Sequence, residues 1–227
     1  MTEPEHAAKP AVPPEMRSVI VVLAVLSGLV VVGLGLLHQG SRGPDAFDRA
    51  VSAAVRGIWP EAGAAAYLVD GLAAPVSALI VVAVLVVGCL AARQWRLTTV
   101  AAIGPLSAAA STIVLKPVVD RTIHGDNLAF PSGHTAFATA VGLVLGLLWI
   151  GLFRLRPAAG WAVLVSLTLG VGLVMALNQI ILDAHYPSDI VGGFFTATAV
   201  VLITALLIDS FAEHLAHRGR HAEARQG

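Results

Sequence analysis

Residues 135–153, TAFATAVGLVLGLLWIGLF, run for 19 positions without an Asp, Glu, Lys or Arg. Pro-Ser-Gly-His stands immediately before this stretch, at 131–134, and Arg154-Leu-Arg156 immediately after it. About 20 apolar residues in a helix cross the hydrocarbon core of a bilayer. A soluble amphipathic helix would show a polar stripe every three to four residues, and this stretch has none. It reads as a transmembrane span.

Five further stretches share its character: 19–38, 76–92, 97–115, 161–182 and 190–208, of 20, 17, 19, 22 and 19 residues. All 28 formal charges, 14 basic and 14 acidic, lie outside the six. A charged side chain at the bilayer centre costs roughly 2.5–3.5 kcal/mol on insertion scales, so this exclusion marks spanning helices. Composition agrees: the 227 residues are 57% hydrophobic and 12% charged, with mean hydropathy +0.83. A soluble domain carries about twice that charged fraction. A soluble globule, a disordered chain and a disulfide framework are excluded, and the balanced charge offers no footprint for nucleic acid. Cys89, the single cysteine, has no intrachain partner.

The expected fold is therefore all-α, a polytopic membrane protein with six transmembrane helices in a bundle over 19–209. A disordered N-terminal tail, 1–18, and a polar C-terminal tail, 210–227, flank it. Six spans place both termini on one side. That side holds Lys9, Arg17, Arg93, Arg96, Arg154, Arg156, Arg218, Arg220 and Arg225, against Arg42, Arg49, Arg56, Lys116 and Arg121 opposite. Nine against five predicts a plasma-membrane protein with both termini cytoplasmic. Between the first two spans, Phe47, Val51, Val55 and Ile58 recur at helical spacing, and Trp59 and Tyr67 favour the headgroup level. The pattern predicts an interfacial helix there, with a plain connecting loop as the alternative.

Three polar clusters interrupt the apolar chain, all on the predicted outer side. Lys116 to Asp126 follows the third span, Phe130 to His134 precedes the fourth, and Asp183 to Asp189 separates the fifth from the sixth. Pro131 suits the first turn of a helix, Ser132 its cap, and Gly133 a close backbone approach by a ligand. A helix N-terminus presents unpaired N–H groups and the positive end of its dipole, a natural anion site. Lys116 and Arg121 supply a point charge and a planar fork suited to phosphate. Pro187 predicts the start of the sixth span, placing Asp189 in its first turn and His185 just ahead. A carboxylate there can hold one imidazole nitrogen and leave the other free to attack. Asn178 and Gln179, polar within an apolar run, suit helix–helix hydrogen bonding as well as ligand contact. His124, Asp126 and Asp183 read as loop residues and His38 as a surface residue. No compact metal-ligand spacing occurs, and no metal or other cofactor is predicted.

Pro131-Ser132-Gly133-His134, followed by His185-x-x-x-Asp189 and preceded by Lys116, resembles the type 2 phosphatidic acid phosphatase superfamily of membrane lipid phosphatases. That family carries three motifs, K-x6-R-P, P-S-G-H and S-R-x5-H-x3-D. The resemblance implies a metal-independent phosphatase acting on a membrane lipid phosphate or diphosphate. The candidates are an isoprenyl diphosphate, phosphatidic acid or phosphatidylglycerol phosphate. It implies that His185 is the nucleophile, Asp189 its orienting carboxylate and His134 the acid and base. Lys116, Arg121, Ser132 and the Gly133 amide would hold the phosphoryl oxygens. The family's Arg-Pro falls here at Ile123 and His124, and its Ser-Arg at Asn178 and Gln179, so two arginines are missing. Arg121, two positions early, His124 and Gln179 are the candidate substitutes, with weaker charge. A degenerate member that binds lipid phosphate or scaffolds membrane partners without catalysis is the alternative.

Overall fold

The computed structural model of the protein describes residues 9–61 and 63–223, so residues 1–8 and 224–227 of the two expected tails lie outside it. Among the described residues the chain forms eight α-helices and one two-stranded hairpin. The helices are α1 (Arg17–Leu37), α2 (Ala46–Ile58), α3 (Ala64–Gly71), α4 (Pro75–Ala91), α5 (Trp95–Val119), α6 (Gly133–Phe153), α7 (Pro157–Ile181) and α8 (Pro187–Glu223). The hairpin pairs β1 (Thr122–Ile123) with β2 (Asn127–Leu128), an addition to the all-α expectation.

Five of the six predicted spans are single helices long and apolar enough to cross a membrane. The remaining one, α4, has 17 residues and pairs with α3 across a bend of 65°. Large apolar side chains such as Val22, Leu29, Leu36, Val84, Val87 and Leu207 are exposed around the bundle, where a bilayer would cover them. This is a helical, multi-pass membrane fold.

The centre of the bundle is α6, packed against α5, α7 and α8. Small residues let it approach closely. A Cβ on Gly142 would lie 2.7 Å from the Leu167 carbonyl oxygen, and one on Gly146 2.9 Å from the Leu164 Cα. With lipid on the outside, such backbone proximity supplies the packing that burial from water supplies in soluble proteins. The same device works between α6 and α8, where a Cβ on Gly193 would collide with the Ser132 carbonyl and one on Gly192 with the Phe130 ring. These two glycines bring the N-termini of α6 and α8 side by side.

Two expectations about the flanks change. Residues 9–18 do not form a free tail: the amides of Ala11 and Val12 each donate to the Asp209 carboxylate at 2.9 Å, and Met16 is buried. Residues 210–223 continue α8 without a break. The connection between the first two spans holds two helices where one was expected. In α2 the stripe residues Phe47 and Ile58 face outward, as an interfacial helix requires. Asp48, off that stripe, is completely buried.

Candidate functional site

Ser132 is the N-cap of α6. Its backbone is extended, and its Oγ accepts from the Thr135 amide at 3.4 Å and the Thr135 hydroxyl at 3.1 Å. Pro131 lies outside the helix, which starts only at Gly133, rather than in its first turn as expected. The Ser132 amide donates to the Asp189 carbonyl at 2.9 Å, tying this cap to the first turn of α8. Pro187 opens α8 as the sequence predicts, leaving His185 just ahead of it and Asp189 inside its first turn. Gly133 faces α5, where a Cβ would stand 3.1 Å from the Thr112 Oγ1.

Two helix N-termini therefore converge, and the last turn of α5 brings Lys116 to them. Lys116 and His185 each act electrostatically on His134, and Asp189 acts on Lys116. Among the described residues Lys116 has no hydrogen bond or ion pair, only these longer-range partners. The arrangement has the features of an anion site: one uncommitted cation, two helix dipoles, and the first amides of α6, those of α8 being taken by Asp48 and the Tyr186 carbonyl.

His185 is nearly buried, and its Nδ1 has no hydrogen-bond partner. The Asp189 Oδ2 stands 3.8 Å from that nitrogen, slightly beyond a hydrogen bond. Asp189 itself is sealed from solvent and held from two sides. Its Oδ2 accepts from the Tyr186 amide at 3.0 Å, and its Oδ1 from the Arg121 Nη1 at 2.8 Å.

Arg121 is thus not where a phosphate clamp would be. It is fully buried, donating through Nη1 to Asp189 and to the Ser188 hydroxyl at 2.6 Å, and through Nη2 to Asp48. Its guanidinium also lies 4.8 Å above the Tyr186 ring. A buried guanidinium requires such pairing: two carboxylates and a hydroxyl take its Nη donors, and the buried Nε is left without a partner. Where the sequence predicts a substrate-binding residue, the structure sets the Nη groups of Arg121 as a strut beneath Asp189.

Asp48 was not singled out by sequence, although it belongs to a legible capping pattern. Asp45 caps α2 by accepting from the Asp48 amide, and the Asp48 side chain returns the contact to the Asp45 amide. Its Oδ1 also accepts from the Ser188 amide at 2.9 Å and the Ser188 hydroxyl at 2.6 Å. Burial alone pushes the Asp48 carboxyl up. The hydrogen bonds from Ser188 and the Asp45 amide, with that from Arg121, bring it below the usual carboxylate value. His38, expected at the surface, is buried beside this cluster. Burial first, then the Arg121 charge, lowers its affinity for a proton.

Gln179 is buried at the end of α7 and donates to the Asp70 Oδ1 at 2.7 Å. It does not replace the missing arginine with a free donor. Asp70, on α3, is the second residue that sequence reasoning missed. Its Oδ1 lies 3.6 Å from the His134 Nε2, with both side chains about a third exposed. A lone carboxylate in an otherwise apolar stretch was the available signal. Ile123 is buried in β1. Asp183, expected as a mere loop boundary, pairs with Arg56 and with the exposed His124.

Beside Asp70, His134 and Gln179 opens an apolar cavity of about 300 Å³. It is lined by Val69 of α3 and Leu72 just after it, Val81 of α4, Phe137, Ala138 and Val141 of α6, and Gly170, Val174 and Met175 of α7. Phe137 and Met175 lie one turn from His134 and Gln179, so the polar site continues into a hydrocarbon-like groove. Among the described residues no three His, Cys, Asp or Glu side chains are grouped to hold a metal ion.

The sequence model of the PAP2 superfamily matches residues 116–212. That segment contains Lys116, Ser132, Gly133, His134, His185 and Asp189, and leaves out Asp48 and Asp70. No curated protein and no solved structure matches the chain significantly. The superfamily implies phosphatase-type chemistry on phosphate esters, in keeping with the histidines and lysine gathered at the α6 N-terminus. Over residues 116–212 the chain is similar to the PAP2 superfamily, the family its motifs resemble.

Proposed function

We propose that the protein hydrolyses a membrane lipid phosphate or diphosphate through a phosphohistidine on His185. The observation that carries this reading is His185 itself: a nearly buried imidazole whose unpaired Nδ1 faces the immobilised Asp189. A residue that only bound phosphate would not need an orienting carboxylate. In the first step the other ring nitrogen, Nε2, attacks phosphorus and the P–O bond to the lipid breaks. Asp189 closes on the Nδ1 proton and stabilises the charge on the ring. Catalytic hydrogen bonds commonly tighten only when substrate binds, as the 3.8 Å separation requires. His134 gives its proton to the departing oxygen, then takes one from the water that cleaves the phosphohistidine. Lys116 and the N–H groups of the α6 N-terminus hold the charge that grows on the phosphoryl oxygens. No step requires a metal.

The apolar groove next to Asp70 and His134 supports a lipid over a soluble ester, since a hydrocarbon chain can lie there while its phosphate reaches the helix ends. The Lys/Arg asymmetry of the sequence supports a plasma-membrane protein with cytoplasmic termini and the site outside. A catalytically silent lipid-phosphate binder is the second reading, and one observation favours it: Arg121 and Gln179 are both committed to carboxylates.

The test is phosphate release from a panel of lipid phosphates by the purified chain in detergent with excess chelator, beside His185→Ala. Release that withstands chelator and disappears in the variant is expected. Equal release from the variant removes His185 from the mechanism. Binding without release by the folded protein selects the silent binder.

A further inference from the structure

The phosphate site is short of positive charge in a specific way. Where the family pattern has an arginine, Gln179 stands, and its amide is held by the Asp70 carboxylate at 2.7 Å. At the other missing arginine, Ile123 is buried in a β-strand. Arg121 is committed to Asp48 and Asp189. Arg56, whose Nε reaches the Ile180 carbonyl next to Gln179, is paired with Asp183, so Lys116 is the uncommitted cation acting on His134. Asp70, partly exposed, stands beside the same histidine.

We infer that the Asp70–Gln179 pair makes the site selective for a lipid phosphate monoester over the diphosphate of the same chain. This rests on the phosphatase reading above and narrows its substrate class. Two independent arguments support it. A phosphomonoester carries close to two negative charges at neutral pH. A diphosphate adds a second charged phosphoryl group that needs its own cation, and Asp70 places an anion in that neighbourhood instead. The leaving groups also differ. Cleaving a monoester expels an alkoxide, which must take a proton as the P–O bond breaks and the P–N bond to His185 forms. Cleaving a diphosphate at its terminal phosphorus expels a phosphate monoester, a stable anion that can leave without one. Asp70 gives the imidazolium form of His134 a counter-ion, which serves the reaction that needs its proton.

The experiment sets farnesyl monophosphate against farnesyl diphosphate, so that the chain is constant, and measures the ratio of kcat/KM with the full chain in detergent. The wild type is expected to favour the monophosphate by about tenfold or more. The double variant Asp70→Asn with Gln179→Arg is expected to move the ratio about tenfold toward the diphosphate. Asp70→Asn alone, nearly isosteric, is expected to move it in the same direction and serves if the double variant does not fold. A wild type that favours the diphosphate overturns the inference. So do variants whose two rates fall equally, which is what a mere tie between α3 and α7 would produce. Hydrolysis of neither ester sinks the phosphatase reading and this inference together. Hydrolysis of both with an unmoved ratio sinks the inference alone.

Discussion

The Nη1 of Arg121 stands 2.8 Å from the Asp189 carboxylate, with both side chains sealed from solvent. Because the Nη2 of Arg121 is bound to Asp48, the amphipathic helix α2 is joined through one guanidinium to the carboxylate beneath His185. Removing the middle member would strand two buried carboxylates. Arg121→Met is expected to destabilise the protein by about 3–5 kcal/mol, the usual penalty for breaking a buried ion pair from one side. Arg121→Lys should recover only part of this, because an ammonium lacks the planar fork that reaches both carboxylates. Thermal unfolding in detergent measures it; an unchanged Arg121→Met midpoint would show that the cluster carries no stability.

Asp48 makes stability depend on pH in one direction. Its carboxyl is held below the ordinary value of 3.8 in the folded state, so the unfolded chain takes up a proton first as the medium is acidified. The stability contributed by Asp48 is therefore fully present above about pH 4 and is lost as pH falls through the lowered native value. Midpoints measured from pH 7 down to pH 3 should fall less steeply below pH 4 in Asp48→Asn than in the wild type. Parallel curves would remove Asp48 as a source of the acid loss.

Gly170 tests the groove without disturbing the fold. A Cβ there meets nothing within 4 Å, yet the residue lines the cavity. Gly170→Leu should fold normally and cut hydrolysis of a long-chain lipid phosphate by about tenfold, while a short-chain soluble ester is hydrolysed as before. Loss of both activities in equal measure, or of neither, would show that no substrate chain lies in the cavity.

Gly193 is the opposite kind of glycine. A Cβ there would collide with the Ser132 carbonyl, forcing apart the two helix N-termini at the candidate site. Gly193→Ala is expected to lose about 1–3 kcal/mol through overpacking and to release phosphate more slowly than Gly170→Ala. Comparable rates in the two alanine variants would show that the contact between α6 and α8 does not shape the site.

Much of the bundle was legible because a bilayer imposes a one-dimensional rule: charge must leave the spanning segments, wherever they pack. Residues 97–115 and 135–153 announced α5 and α6 by that rule alone. Pro187 likewise marked the start of α8, since proline lacks an N–H at a position that has no use for one. The N-terminal segment went unread because its order comes from Asp209, nearly 200 residues away, whose carboxylate binds the amides of Ala11 and Val12. Local composition holds no record of such a partner.

For the site, the sequence alone singled out His134, His185, Asp189 and Lys116, and local helix geometry places them at two helix N-termini and a helix end. What only the tertiary structure decided is how the remaining charges are used. Arg121 and Gln179 looked like phosphate ligands because a side chain's type shows what it can bind, and not what already binds it. Their partners, Asp48 and Asp70, arrive on α2 and α3 from distant parts of the chain. A buried charge takes the nearest opposite charge that packing supplies. Three-dimensional proximity therefore made Arg121 a strut and Gln179 a tether.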